Sequence, residues 1–231
     1  MADMTWKKKR MDKEEYLEQI GRSEERLHLA AADPMRLNYH VQPPMGWLND
    51  PNGLCQKDGI YHIYHQYVPF YPELCSVLWG HVTTRDFIHY EVQEPAVYPD
   101  TDRDANGAYS GSAFLKDGTM YVYYTGNVRH DDREYDYVTG GREQNTILMT
   151  SEDGFRFSEK QLLMENRDYP GDLTLHVRDP KVFCENGRYY MIQGARDRND
   201  RGSILLFESG DLVHWAYRLT ISTAETFGYI W

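Results

Sequence analysis

Two short stretches place a carboxylate on backbone that proline stiffens. One is Trp47-Leu48-Asn49-Asp50-Pro51-Asn52-Gly53 and the other is Arg178-Asp179-Pro180. Pro51 fixes its own φ and keeps Asp50 out of the helical region. Asn52-Gly53 tolerates the positive φ of a sharp bend. The pattern predicts a turn between two strand-like runs, with Asp50 held rigidly and the Trp47 indole beside it as a pocket wall. Taken singly, the first stretch also reads as an ordinary polar turn and the second as a strand-entry salt bridge. Taken together they suggest two carboxyl groups working across one bond, as in glycoside cleavage. There a gap of about 5–5.5 Å gives a nucleophile and retention, and about 6.5–9.5 Å leaves room for water and inversion.

The elements that would position these groups repeat along the chain. Gln56-Lys57-Asp58-Gly59-Ile60-Tyr61-His62-Ile63-Tyr64 matches Leu115-Lys116-Asp117-Gly118-Thr119-Met120-Tyr121-Val122-Tyr123, and both match Cys184-Glu185-Asn186-Gly187-Arg188-Tyr189-Tyr190-Met191-Ile192. Each is an Asp-Gly or Asn-Gly hairpin feeding an aromatic-rich strand. A second signature follows each hairpin: Ser or Thr, any residue, Asp, and an aromatic four residues later, around Asp86, Asp153 and Asp211. A unit of about 60 residues with several short strands is the size of a propeller blade. Asp50, Ser110 and Asp179 precede their hairpins at nearly the same distance. If those strands are innermost, the three side chains gather at one end of a central channel. Three units are fewer than the roughly four to eight with which propellers close. The expectation is an all-β chain of about three blades, incomplete as a ring and a fragment of a larger propeller.

Composition narrows the partners. Aromatics are 14% of the chain, with 19 Tyr and 5 Trp, which suits aromatic strands and surfaces on which sugars stack. A formal charge of −11 argues against non-specific binding to nucleic acid or anionic membrane. The basic run Lys7 to Arg10 reads as a solvated tail. The N-terminus lacks a secretory-type apolar core, and no long apolar run occurs. Cys55, Cys75 and Cys184 are odd in number and widely spaced, as reduced thiols are. These features predict a cytoplasmic protein. Residues 12–32 read as one helix, begun by a capping box of Asp12 and Glu15 and ended by Asp33-Pro34. That divides the chain into a tail and helix over 1–36 and a propeller domain over 37–231.

Four motifs in order, Trp47 to Gly53, Trp79-Gly80-His81, Tyr109-Ser110-Gly111-Ser112 and Arg178-Asp179-Pro180, resemble those of the family 32 glycoside hydrolases, the β-fructofuranosidases. The similarity runs from about Leu37 to Trp231. It implies a five-bladed β-propeller, here incomplete, and a retaining double displacement that releases fructose from sucrose, sucrose 6-phosphate or a fructan. It implies that Asp50 is the nucleophile and Asp179 the transition-state stabiliser, with Arg178 orienting that carboxylate and holding it ionised. Asn49, Gln66, Tyr109 and Ser110 match the residues that grip the fructose, Trp47 a wall, and Trp79 packing beneath. The family's general acid lies in a Glu-Cys-Pro motif after a stretch like Phe227-Gly228-Tyr229-Ile230-Trp231. That acid is expected to be lacking here, with Glu208 and Glu225 as the nearest substitutes, and the 231 residues alone are expected to be inactive and poorly stable. Leu74 stands where the family has Trp, and Val68 where Asn is frequent; both bear on the exact substrate. The missing leader favours an imported, phosphorylated sugar.

Other chemistries are less well supported by the residues. His62 and His65, three apart on a strand, point to opposite faces and cannot share an ion. Asp102, Asp104 and Asn106 open like a calcium loop, but Ala113 stands where its glutamate is required; a solvated turn is expected there. Ser110 is not in a Gly-x-Ser-x-Gly elbow, and no phosphate-cradling loop or dinucleotide fingerprint occurs. No metal or cofactor is expected. Two further readings keep the same carboxylates: a non-catalytic fructoside-binding module, and a related furanosidase or fructosyltransferase.

Overall fold

The structure is a computed structural model that describes residues 11–72, 76–136 and 138–223. Leu74, Cys75, Glu225 and the stretch 227–231 lie outside the described residues. Three four-stranded antiparallel sheets follow one another, each in simple sequence order. The first holds β1 (Trp47–Lys57), β2 (Ile60–Val68), β3 (Leu78–Thr84) and β4 (Tyr90–Val97). The second holds β5 (Ala108–Lys116), β6 (Thr119–Arg129), β7 (Arg142–Ser151) and β8 (Gln161–Met164). The third holds β9 (Leu173–Glu185), β10 (Arg188–Asp197), β11 (Gly202–Ser209) and β12 (Ala216–Ile221). β1 packs on β5 and β5 on β9, so the first strand of every sheet is innermost. These are three blades of a β-propeller, as the repeat predicts.

The repeated residues build the same two turns in each blade. Asp58, Asp117 and Asn186 take φ of 51°, 50° and 51°, and the glycine after each is also left-handed. Two consecutive positive φ values match the twist of the flanking strands. In the second turn the hydroxyls of Thr84, Ser151 and Ser209 accept the backbone N–H of Phe87, Gly154 and Leu212. The carboxylates of Asp86, Asp153 and Asp211 each accept the next two backbone N–H groups. Consecutive blades are then joined by one repeated contact. Tyr64 donates its hydroxyl to the Gly154 carbonyl at 2.7 Å, and Tyr123 donates to the Leu212 carbonyl at 2.8 Å. The third copy of that tyrosine is Ile192, which has no hydroxyl to offer.

Burial follows the blade contacts. Tyr64, Trp79, Met120, Tyr124 and Ile147 fill the space between the first two blades; Tyr123, Val182, Met191, Leu205 and Phe207 fill the next. The N-terminal segment is two helices, where one over 12–32 is predicted: α1 (Lys13–Gly21) and α2 (Glu24–Ala31). The Asp12–Glu15 capping box is present. The break falls at Arg22-Ser23, where glycine ends the first helix and the Ser23 hydroxyl bonds back to the Gln19 carbonyl. Tyr16 of α1 is buried against Phe70 and Tyr98, which braces the helix on the first blade. The turn at Asp102–Asn106 exposes Asp102 and Arg103 as expected, but not Asp104. Asp104 is fully buried, taking Thr101, Tyr124 and Lys160 as partners.

His62 and His65 do turn to opposite faces. His62 Nδ1 lies 3.0 Å from His81 Nε2, and the His65 ring covers Gly80. Burial lowers all three imidazoles, and for His81, which also feels His62 and His65, to about 3. A base whose folded pKa is depressed contributes stability above its unfolded value, near 6.5, and loses it as pH falls. At about pH 4.5 the unfolded chain gains about 2–3 kcal/mol by protonating His81 alone. The urea midpoint is therefore expected to fall markedly between pH 7 and pH 4.5; equal midpoints would contradict a neutral buried cluster.

Candidate active site

Each innermost strand carries the same irregularity. In β1 the pairing slips between Leu48 and Pro51, so Asn49-Asp50 face a single residue of β2, Gln66. In β5 it slips between Ala108 and Gly111, which sets Tyr109-Ser110 against Thr125. In β9 it slips between Arg178 and Lys181, which sets Asp179-Pro180 against Gln193. An extra residue bends the strand and re-aims its side chains, which is why such bulges recur at functional sites. Asp50 is thus not in a turn between two strands, as the Asn-Asp-Pro pattern predicts. It lies within one strand whose bulges absorb the proline and the left-handed Gly53 (φ 51°). A second slip, between Asn52 and Cys55, supplies the extra residue that sets Asp50 one position farther from its hairpin.

The bulges converge. Asn49 Nδ2 donates to Gln66 Oε1 at 3.1 Å, Gln66 Nε2 to Ser110 Oγ at 2.9 Å, and Ser110 Oγ to Asp50 Oδ2 at 2.6 Å. Every donor in this relay points toward the carboxylate. Asp50 itself stays open to solvent. Trp79, fully buried, donates its indole N–H to the Tyr109 carbonyl at 2.9 Å and so fixes the second bulge from beneath. Trp47 is partly exposed and its ring stacks on Tyr71, centroids 6.4 Å apart, which makes an aromatic wall ahead of Asn49-Asp50. Val68 is buried in the first blade, paired with Trp47.

The second carboxylate lies close enough to the first to feel its charge. Asp179 is reached by solvent, yet protein surrounds the carboxyl on its other sides; desolvation pushes it up to about 6, with Arg178 opposing and the Asp50 charge adding. A neighbouring like charge adds to burial in disfavouring the ionised form. The Arg178 guanidinium is buried, bonded to His176 Nδ1 and 5.8 Å from the centre of the Tyr109 ring. Glu208 is elsewhere. It is bonded to Arg188 and Arg218 on its own sheet, and the Arg188 hydrogen bond holds its carboxyl below the usual range. A proton donor needs the opposite shift. Among the described residues no group of three His, Cys, Asp or Glu side chains could hold a metal. Sequence reasoning assigned no role to His176, Tyr71, Ser112 or Thr125; Ser112 stood in a quoted motif, and Thr125 had its alignment with Gln66 in the repeat.

Residues 40–231 match the family described as the glycosyl hydrolases family 32 N-terminal domain. The chain belongs to glycoside hydrolase family 32. It is 39% identical over 208 residues to the sucrose-6-phosphate hydrolase of Bacillus subtilis strain 168, covering 88% of this chain and 41% of that protein. It is 35% identical to the raffinose invertase of Escherichia coli, over 84% of this chain and 39% of that one. Among solved structures, the sucrose-6-phosphate hydrolase of Lactobacillus gasseri superposes with a TM-score of 0.79 at 31% identity, covering 90% of this chain and 41% of that chain. A Bombyx mori family 32 β-fructofuranosidase superposes with a TM-score of 0.76 at 28% identity, over 95% of this chain and 44% of the other. The chain therefore spans about two fifths of the length of these relatives.

Proposed function

We propose that this family 32 chain carries the nucleophile half of a retaining β-fructofuranosidase site acting on sucrose or sucrose 6-phosphate. The relay ending at Asp50, with Asp179 close by, carries the reading. Asp50 attacks the anomeric C2 of the fructosyl unit; the C2–oxygen bond breaks and the leaving oxygen takes a proton. Water then attacks C2 and the Asp50 carboxylate departs, so two inversions give net retention. Ser110 fixes which Asp50 oxygen stays free for attack. Positive charge that develops on the ring meets the Asp179 carboxylate, held by Arg178. The relatives that are sucrose-6-phosphate hydrolases favour a phosphorylated disaccharide. A cytoplasmic setting belongs to the same proposal, and the free Cys55 and Cys184 are compatible with it.

Asp50 and Asp179 supply no proton donor between them, because both work as anions, and Glu208 is committed to two arginines. With no donor of this kind among the described residues of the site, the 231 residues alone are expected to bind a fructoside without releasing fructose from sucrose. The general acid is typically worth about 10²–10⁴-fold. β-Fructofuranosyl fluoride avoids that need, since fluoride leaves unprotonated. The chain is expected to release fluoride from it, with β-fructofuranose as the first product by NMR. α-Product would overturn retention, and a folded chain that binds fructose yet releases no fluoride would overturn the enzymatic reading in favour of a binding module. The rate is also expected to fall as pH drops through about 6, where Asp179 takes up its proton; a flat profile from pH 7 to 5 would oppose a charged stabiliser.

A further inference from the structure

We propose that Thr125 is the positioning residue that holds Asp179 in its working geometry across the joint between the second and third blades. Asp179 has φ 61°, a left-handed conformation uncommon outside glycine, which aspartate tolerates better than most residues and which neighbouring bonds can fix. What fixes it is visible on both sides of the peptide. The Asp179 N–H donates to Thr125 Oγ1 at 3.0 Å. One residue on, Ser112 Oγ donates to the Pro180 carbonyl at 2.7 Å and accepts from the Val182 N–H at 3.3 Å. Thr125 is 1% exposed and Ser112 5%, so water does not substitute for either hydroxyl.

The repeat gives this contact a meaning beyond local stability. Thr125 occupies in β6 the place of Gln66 in β2, opposite the bulge of its own blade. Gln66 reaches forward to Ser110 in the bulge of the second blade; Thr125 reaches forward to Asp179 in the bulge of the third. One design is used twice: the residue facing one bulge fixes the active residue of the next. Gln66 acts through a side chain on a side chain. Thr125, being shorter, acts on the backbone and so sets where the Asp179 carboxyl points. Without the hydroxyl the peptide relaxes toward extended φ and the carboxyl swings out to water, away from Asp50.

The role rests on reading Asp179 as part of the active site, and the test keeps the two apart. The full chain is prepared as wild type, Thr125→Val, Thr125→Ser and Thr125→Cys, and the Asp179 carboxyl is titrated by ¹³C NMR, with Asp179→Asn for assignment. The wild-type and Ser proteins are expected to titrate together, and the Val protein at least one pH unit lower, near an ordinary aspartate. A folded Val protein that titrates with the wild type overturns the proposal, as does a Ser protein that shifts with Val. Should Val fail to fold, Cys takes its place under the same criteria. The titration is blind to sugar chemistry, so these outcomes bear on positioning alone. Normal titration in a chain that neither binds fructose nor releases fluoride would instead overturn the functional reading.

Discussion

Asp50→Asn is expected to lower fluoride release from β-fructofuranosyl fluoride by roughly 10⁴-fold or more, the scale on which removing a covalent nucleophile acts. The substitution changes charge with almost no change of shape. The carboxamide oxygen still accepts from Ser110, so the relay from Asn49 through Gln66 stays closed. Asp50 lies at the solvent-facing end of the relay, and no core packing is lost. Circular dichroism and the melting temperature should match the wild type. The chemistry cannot survive, because an amide neither attacks C2 nor leaves as a stable anion. Asp179 should report the same change from the other side: with the Asp50 charge removed, its carboxyl should titrate lower. Fluoride release retained above about one hundredth of the wild-type rate would remove Asp50 from the mechanism.

The second large effect is on the fold. A Cβ added at Gly111 would sit 1.9 Å from the Tyr123 carbonyl oxygen and 2.6 Å from the Tyr124 Cα. Both are backbone of β6, which cannot rotate aside as a side chain would. The strands must part by more than an ångström just where β5 resumes pairing after its bulge. Gly111→Ala is therefore expected to destabilise by about 3–4 kcal/mol, at the upper end of overpacking costs, and to lower the melting temperature by about 10 °C. Gly21→Ala, with nothing within 4 Å of the added atom, is the control and should melt no lower than wild type. A Gly111→Ala chain that melts within about two degrees of the wild type would show that the bulge is pliable.

These two residues mark where the sequence was legible. Hairpins at Asp58-Gly59, Asp117-Gly118 and Asn186-Gly187 could be placed because two left-handed residues are a local demand, met by local residue types. The blades follow from repeating that demand. Asp50 and Asp179 could be found because proline follows each. The bulges could not be read, since a strand that absorbs proline and glycine looks the same in sequence as a strand that ends there. The helix break at Arg22-Ser23 likewise depends on one glycine and one serine bonding back, neither of which forbids a longer helix. Glu208 carried no sign of its capture, because Arg188 and Arg218 come from neighbouring strands whose register appears only once the sheet exists. Thr125 sits in an aromatic run where nothing marks its hydroxyl except comparison with Gln66.

The tyrosine contacts between blades have a bearing on the distance between the two acids. Tyr64 and Tyr123 each tether one sheet to the far turn of the next, and the carboxylates stand at the opposite end of the same sheets. The same blades are also joined at the carboxylate end, by Gln66–Ser110 and Trp79–Tyr109 in one joint and by Thr125–Asp179 and Ser112–Pro180 in the next, so each joint is fastened at both ends. Cutting one tyrosine tether is therefore expected to leave the two acids in place, their spacing yielding only when the bonds at both ends of a joint are lost.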